Sequence, residues 1–421
     1  MATSPADMPP LDGFRVLDLT RVLSGPYASM LLADLGAEVI KVERPGSGDD
    51  TRSWGPPFSG GMSTYFAAVN RGKRSVVIDL QSERGRDLLG ELASKVDVVI
   101  ENFRPGVIER LGLGYDAVAE RNPGVIYASI NGFGATGPRA EEAGTEVIVE
   151  AETGLMAMMG TPDGPPVRFG IAMVDIATGI ALVSGVLAAA LQRERTGRGR
   201  RLEFPLYAMA FSCLATVVAS ASVDRASQEG RWGSGHPSIV PYSAFPARDG
   251  FVVLGAINEL MWERLCEAFG LDALRSDPRA AGNEARVHNR AFVEDAIAAV
   301  IAPLTASEVT ERLKRANVLV APVRTAAEAV TDPQVAALGL VDELDGIRFT
   351  RTPLAQFNRA PLAPAPPLGQ DSEAVLSELL SLSDVELSGL LESGAVQTAA
   401  TEAGAPRSAG VGASAAKAAT T

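Results

Sequence analysis

The chain has 421 residues, 46% of them hydrophobic, with 38 basic against 51 acidic side chains and a formal net charge of −13. That length calls for two domains, and the acidic balance argues against non-specific binding to nucleic acid or anionic membranes. Two cysteines, Cys213 and Cys266, give no disulfide framework and no metal motif, and read as buried thiols of a reducing compartment.

From the N-terminus, Met1 to Pro10 shows no basic stretch followed by an apolar run, so no signal peptide is expected. Phe14 to Leu19 reads as a strand, and Pro26 to Leu35 as a helix stopped by Gly36. Short β-branched runs follow at 38–42, 75–80, 96–100 and 125–130, with an amphipathic stretch from Ser82 to Lys95 between two of them. That rhythm predicts a parallel sheet with helices on its faces. Ile176 to Leu191 is an apolar helix, too short and too rich in small residues to span a bilayer comfortably. Leu202 to Phe204 adds a further strand. A second unit starts near Ser222, with a glycine-bearing loop at Gly233-Ser234-Gly235, a strand at 251–256, helices at 259–269, 290–302 and 307–316, and an extended Val318 to Pro322. A proline-rich stretch precedes a helical segment from Ser372 to Glu392. The Ala/Gly/Ser/Thr-rich end predicts a disordered tail over 398–421.

The sheet lacks dinucleotide and nucleotide signatures. The turn after the first strand, Thr20-Arg21-Val22-Leu23-Ser24-Gly25-Pro26, has one glycine and a proline, so a nicotinamide cofactor is not expected. Gly72-Lys73-Arg74-Ser75 lacks the upstream glycine of a phosphate loop. With only His236 and His288, a His-based zinc site or a Ser-His-Asp triad has little material.

Asp175 is the most informative residue. It stands just before the apolar helix and reads as its N-cap, where the helix dipole favours the ionised form. Two readings are open: a cap only, or a sheltered carboxylate that attacks an activated acyl group. Lys41, Arg44, Arg52, Arg71, Lys73 and Arg74 fall between Val39 and Ser75, several just past predicted strand ends. They read either as a solvated positive face or as a site for a multiply charged anion such as a nucleotide or coenzyme A. Asn102-Phe103-Arg104 adds an amide, a stacking ring and a cation suited to an adenine with phosphates nearby.

These residues resemble the family III CoA-transferases, the CaiB/BaiF group, over roughly Leu11 to Leu391. The resemblance is carried in order by Val16-Leu17-Asp18-Leu19-Thr20-Arg21-Val22, Gly25-Pro26-Tyr27, Leu32-Ala33-Asp34-Leu35-Gly36-Ala37-Glu38, Asn70-Arg71-Gly72-Lys73-Arg74-Ser75, Glu101-Asn102-Phe103-Arg104-Pro105-Gly106, Gly132-Phe133-Gly134, Thr136-Gly137-Pro138, Asp163-Gly164-Pro165-Pro166 and Arg195-Thr196-Gly197-Arg198-Gly199. It implies an α/β fold with a Rossmann-like large domain, 11–210 plus 348–397, and a smaller α/β domain, 222–335, in an interlocked ring-like homodimer.

It also implies a formyl-CoA transferase-like activity that moves CoA from an acyl-CoA thioester to a carboxylic acid. Asp175 is the expected nucleophile, through an aspartyl mixed anhydride and an aspartyl-CoA thioester. Val22, Arg44, Ile78, Asn102, Phe103 and Arg110 fall where the family contacts CoA. The loop Gly233-Ser234-Gly235 matches one that shields the intermediates; its amides are expected either to stabilise an oxyanion or to form an interdomain turn only. CoA is the expected co-substrate, with no other cofactor and no metal, and a dicarboxylate such as succinate is expected for one substrate. A cytoplasmic location is expected. Many members carry an aromatic residue and an aspartate near Thr145 and Glu146, and a glutamine at Glu150. The related 2-methylacyl-CoA racemases need a histidine near Thr145, so racemisation is disfavoured. Glu146 reads either as a polar neighbour of Asp175 or as a solvated loop carboxylate. The alternatives are a 2-methylacyl-CoA racemase or epimerase, and a CoA-binding protein without turnover.

Overall fold

The structure, a computed structural model, describes residues 8–225, 230–358 and 360–399. The expected tail therefore lies outside the described residues from 400 on, as do Met1 to Asp7 of the N-terminus.

The β-branched runs form the strands that their composition predicts. They are β2 (Glu38–Glu43), β3 (Arg74–Ile78), β4 (Val98–Glu101) and β5 (Ile126–Asn131), and the expected strands at 14–19 and 202–204 are β1 (Arg15–Asp18) and β6 (Arg200–Pro205). A second, antiparallel sheet holds β7 (Tyr242–Ala247), β8 (Gly250–Gly255) and β9 (Leu319–Pro322), with β8 in the middle. The short β10 (Val396–Gln397) returns to the first sheet and pairs antiparallel with β3. The large sheet has the order β10-β3-β2-β1-β4-β5-β6. β1 pairs parallel with both β2 and β4. The chain thus winds outward from β1 through β2 to β3, then restarts on the other flank at β4. The crevice beyond the carboxyl ends of β1 and β4 is a topological switch point, where open α/β sheets place their ligands.

Strands buried on both faces read as nearly continuous apolar runs. Val16, Leu17, Ile40, Val76, Val98 and Ile100 are all fully buried. The helix Glu83–Ala93, capped by the Ser82 hydroxyl on the Gly85 amide, lays Leu88, Leu89 and Leu92 into one core with Leu17, Ile40 and Val76. The predicted helix from 372 to 392 is two helices, Ser372–Leu380 and Asp384–Glu392, because Ser381 takes a left-handed φ of 57°.

Two compact units divide the chain. One joins the residues up to Asn131 with Thr178–Phe204 and the stretch from Glu343 on; the other joins Gly132–Ala177 with Pro205–Asp342. The expected boundaries run otherwise, since 132–177 falls with the second unit. Local packing explains this. Gly132 and Gly144 approach so closely that a Cβ on Gly144 would sit 2.8 Å from the Gly132 Cα, a contact that only glycine permits. The following helix then packs against Leu206–Ser212. In this unit Trp262, Leu265, Val293, Ile297, Val309 and Leu313 form a core over the antiparallel sheet.

The apolar helix is longer than its apolar run suggests. Numbering α1 as Ser24–Asp34 and α2 as Glu146–Thr153, α3 covers Met173–Thr196, 24 residues. By length and composition it would reach across a membrane, with a mean hydropathy of 2.0 over an 18-residue window, of which 39% is buried. Core helices of α/β proteins meet the same measure, and Leu182 and Val186 are fully buried. Ile180 and Leu191 on the same helix are exposed. Cys213 also departs from its reading, being exposed just past the end of the helix Leu206–Ser212, whereas Cys266 is buried.

Candidate active site

In the first unit, a cleft of about 520 Å³ opens at the carboxyl ends of β1 to β4. Leu19, Val42, Ile78 and Phe103 give it apolar walls, and Arg21 and Arg44 give it cations. This mix suits a ligand with a ring and anionic groups. Of the six expected CoA contacts, Arg44, Ile78 and Phe103 line this cleft, while Val22, Asn102 and Arg110 do not. Arg110 is exposed on the short helix Val107–Arg110.

Asn102 holds backbone beside the crevice. Its Oδ1 accepts the Arg21 N–H at 3.0 Å and its Nδ2 donates to the Arg21 carbonyl at 2.8 Å. One side chain thereby satisfies both backbone groups of a residue across the switch point. The adjacent residues are held likewise. Lys41 Nζ donates to the Thr20 carbonyl and to Asp49, each at 2.9 Å, and Asp49 accepts the Val22 N–H at 3.4 Å. Val22 has φ 73°, a left-handed conformation rare for a β-branched residue. Such strain is of order 1–3 kcal/mol and persists only where the surroundings enforce it. The three side chains supply that enforcement.

The clamp is anchored in a buried charge cluster. Lys41, Lys73, Asp18 and Asp49 have fully buried side chains, paired Lys41–Asp49 at 2.9 Å and Lys73–Asp18 at 3.0 Å. Burial alone would raise the Asp18 carboxyl, but Lys73 and Lys41, with the Ser29 and Thr20 hydroxyls, hold it well below the usual carboxylate range. Much of the basic concentration seen in the sequence is therefore neither a solvated face nor a ligand contact, but the interior support of the crevice. The parallel register that sets Asp18 opposite Lys41 builds it.

In the second unit, Asp175 stands in the first turn of α3, as its third residue rather than its N-cap. The dipole argument is unchanged, because the charge still lies within the first turn. Helix α2 brings two further acids into play. Glu146 Oε1 accepts the Val174 N–H at 2.8 Å and Glu150 accepts the Phe169 N–H at 3.4 Å. Glu146 is thus the buried polar neighbour of Asp175, not a solvated loop carboxylate. Burial, with the Asp175 and Glu150 carboxylates nearby, pushes its carboxyl up to about 7, against the pull of the Val174 and Asp175 amides. Burial also raises the Glu150 carboxyl, which the Phe169 amide and Arg168 partly offset. Thr145 precedes α2 and is exposed.

The glycine loop is tied to the segment leading toward α3. The Gly233 N–H donates to the Gly160 carbonyl at 3.0 Å, and Arg231 Nε donates to the Thr161 carbonyl at 3.1 Å. The Gly235 N–H donates to Trp232 at 2.8 Å, and the Ser234 hydroxyl accepts the Ala244 N–H at 2.8 Å. In this arrangement the two glycine amides are engaged within the protein.

The first unit thus offers a charged crevice with apolar walls at a switch point, and the second a carboxylate in the first turn of a helix. The model of CoA-transferase family III matches residues 11–372, and the chain belongs to that family. It is 39% identical to the mouse (Mus musculus) succinyl-CoA:glutarate CoA-transferase over 93% of this chain and 91% of that one. To the succinate–glutarate CoA-transferase of Agrobacterium fabrum it is 39% identical, covering 90% and 98%. Among solved structures, a CaiB/BaiF family protein from Brucella suis superposes with a TM-score of 0.80 at 37% identity, covering 88% and 99%. The chain is a CoA-transferase of this family.

Proposed function

We propose that the enzyme moves CoA from a dicarboxylyl-CoA such as succinyl-CoA to a second dicarboxylic acid of similar length, with Asp175 as the covalent carrier. CoA is the co-substrate and no further cofactor takes part. The observation that carries the reading is Asp175 in the first turn of α3, with a hydrogen-bonded Glu146 beside it. The relatives named for succinyl-CoA and glutarate support the substrate class.

An Asp175 oxygen attacks the thioester carbonyl; the C–S bond breaks and CoA leaves as thiolate. The thiolate attacks the Asp175 carbonyl of the mixed anhydride, releasing the donor acid and leaving an aspartyl-CoA thioester. The acceptor carboxylate attacks that thioester and again frees the thiolate. Attack of the thiolate on the acceptor's acyl carbon gives the new acyl-CoA and restores Asp175. No proton is gained or lost overall. The anhydride is uphill, so binding energy from the distant nucleotide end of CoA helps offset it. The acids arrive as anions beside three carboxyl groups. A Glu146 that is largely neutral below pH 7 removes one of those repulsions.

The same reading includes a cytoplasmic homodimer, with Ile180, Leu191, Phe211 and Val223 as exposed apolar side chains for a second copy to cover. Hydroxylamine added during turnover tests the carrier. A hydroxamate mapped to Asp175, absent from an inactive Asp175→Ala variant, is expected. Undiminished transfer by Asp175→Ala would refute the reading.

A further inference from the structure

We propose that Asp50 is a built-in competitor for the phosphates of CoA, occupying the two arginines of the crevice until the ligand displaces it. The proposal rests on the reading of that crevice as the CoA site. Asp50 Oδ2 pairs with Arg21 Nη1 at 3.3 Å, and its other oxygen pairs with Arg44 Nη2. Arg44 is further fixed by Nε donating to the Ser47 hydroxyl at 2.7 Å. Both arginines line the cleft. One carboxylate thus bridges two cations that come from the ends of neighbouring strands, β1 and β2, as a phosphate group would.

The position of Asp50 does not depend on these arginines. It opens the short turn Asp50–Ser53, which the buried Asp49 side chain caps by accepting the Thr51 N–H. Asp49 is in turn held by Lys41. The carboxylate therefore stays near the site after the arginines turn to a ligand, and repels the incoming anion. All three side chains are roughly 40 to 50% exposed, so the exchange takes place in contact with water and is screened by salt. The pair does two things for the reaction. A ligand must carry strong anionic groups to take the arginines, which selects for the phosphates of CoA over the carboxylates of the free acid substrate. The competition also weakens CoA binding, and in a cycle that binds one CoA ester and must release another this speeds release.

Calorimetric titration of CoA into the wild type and Asp50→Asn, at low and high salt, tests it. D-pantetheine serves as a phosphate-free probe, and Asp50→Ser repeats the substitution with a different side chain. Loss of the carboxylate is expected to tighten CoA binding about two- to fivefold, the range of an exposed ion pair. The gain should shrink at high salt, vanish for pantetheine and vanish in an Arg21→Gln, Arg44→Gln background. Unchanged or weaker CoA binding by both variants overturns the proposal, as does an equal gain for pantetheine. If the wild type itself fails to bind CoA, the reading of the crevice falls, and this proposal with it.

Discussion

Glu146 accepts the backbone N–H of Val174 at 2.8 Å, on the amide directly before Asp175. One carboxyl therefore both closes the start of α3 and sits beside the proposed nucleophile. Its pKa, pushed up to about 7, makes the contact pH-dependent. Because the folded-state value is raised, the folded protein keeps a proton that the unfolded chain loses between about pH 4.5 and pH 7. Wild-type stability then falls as pH rises through that window. Glu146→Gln keeps an acceptor for Val174 and removes the titration. In chemical unfolding at pH 8 the variant is expected to gain on the wild type by about 1–2 kcal/mol, with the gain absent near pH 4. Equal differences at both pH values would contradict this assignment.

The same proton acts on substrate binding. Above pH 7 the ionised Glu146 adds a charge facing an anionic acid, so the KM for the acceptor acid is expected to rise several-fold between pH 6 and pH 8 while the KM for the CoA ester stays flatter. In Glu146→Gln the rise should be largely lost. A pH profile of both KM values with succinate and glutarate reads this, and an unaltered profile in the variant would count against it.

Asn102 should behave as a positioning residue. Asn102→Ala leaves the Arg21 N–H and carbonyl without their partner, at about 1–3 kcal/mol for a part-buried pair. The expected result is a KM for the acyl-CoA raised on the order of tenfold with kcat nearly unchanged. Asn102→Asp should rescue little, because it retains the acceptor but sets a carboxylate against the Arg21 carbonyl. A fall in kcat alone would place Asn102 elsewhere in the reaction.

These residues show where sequence reasoning reaches and where it stops. The strands were legible because strands buried on both faces need β-branched runs, as in Val98 to Ile100. The place of Asp175 at the start of α3 was legible because an acid beside an apolar run is conspicuous, while its role was implied only by the family resemblance. Helix α2 was not, because its pattern is inverted. Glu146, Val149, Glu150 and Thr153 form the buried stripe, while Val147 and Ile148 face outward. Apolar periodicity cannot find a helix whose polar face is turned inward. The spacing of the two glutamates, four residues apart, is the signal that could have found it. Asn102 was read as a CoA contact, and the structure adds that its amide holds the Arg21 backbone. Its amide is as suited to a backbone clamp as to an adenine ring, and only the strand order decides between them. For Lys41 and Lys73 a solvated face and an anion site were both open, because a sequence does not show that the fold sets Asp18 beside them.

The Lys41–Asp49 pair offers the sharpest test of that interior support. Both side chains are fully buried, and each also holds backbone of the 20–22 turn. Burial alone would lower the Lys41 ammonium, but Asp18, Asp49 and Glu43 overcome it and keep it charged; burial would raise Asp49, and Lys41 with the Thr51 contacts lowers it instead. Lys41→Met strands a buried carboxylate and Asp49→Asn strands a buried ammonium, each expected to lose about 3–5 kcal/mol. The double variant removes both charges and should lose clearly less than the sum of the two. Its stability should also decline less on acidification. A depressed carboxylate contributes stability above its unfolded value that is lost as pH falls through the folded one, and the double variant no longer carries that term. Even with stability regained, the double variant lacks the donor to Thr20 and the charge on the Val22 amide. Its KM for acyl-CoA is expected to stay high, which separates support of the fold from support of the strained turn. Additive losses in the cycle, or a double variant with wild-type KM, would show that the pair does not hold the crevice.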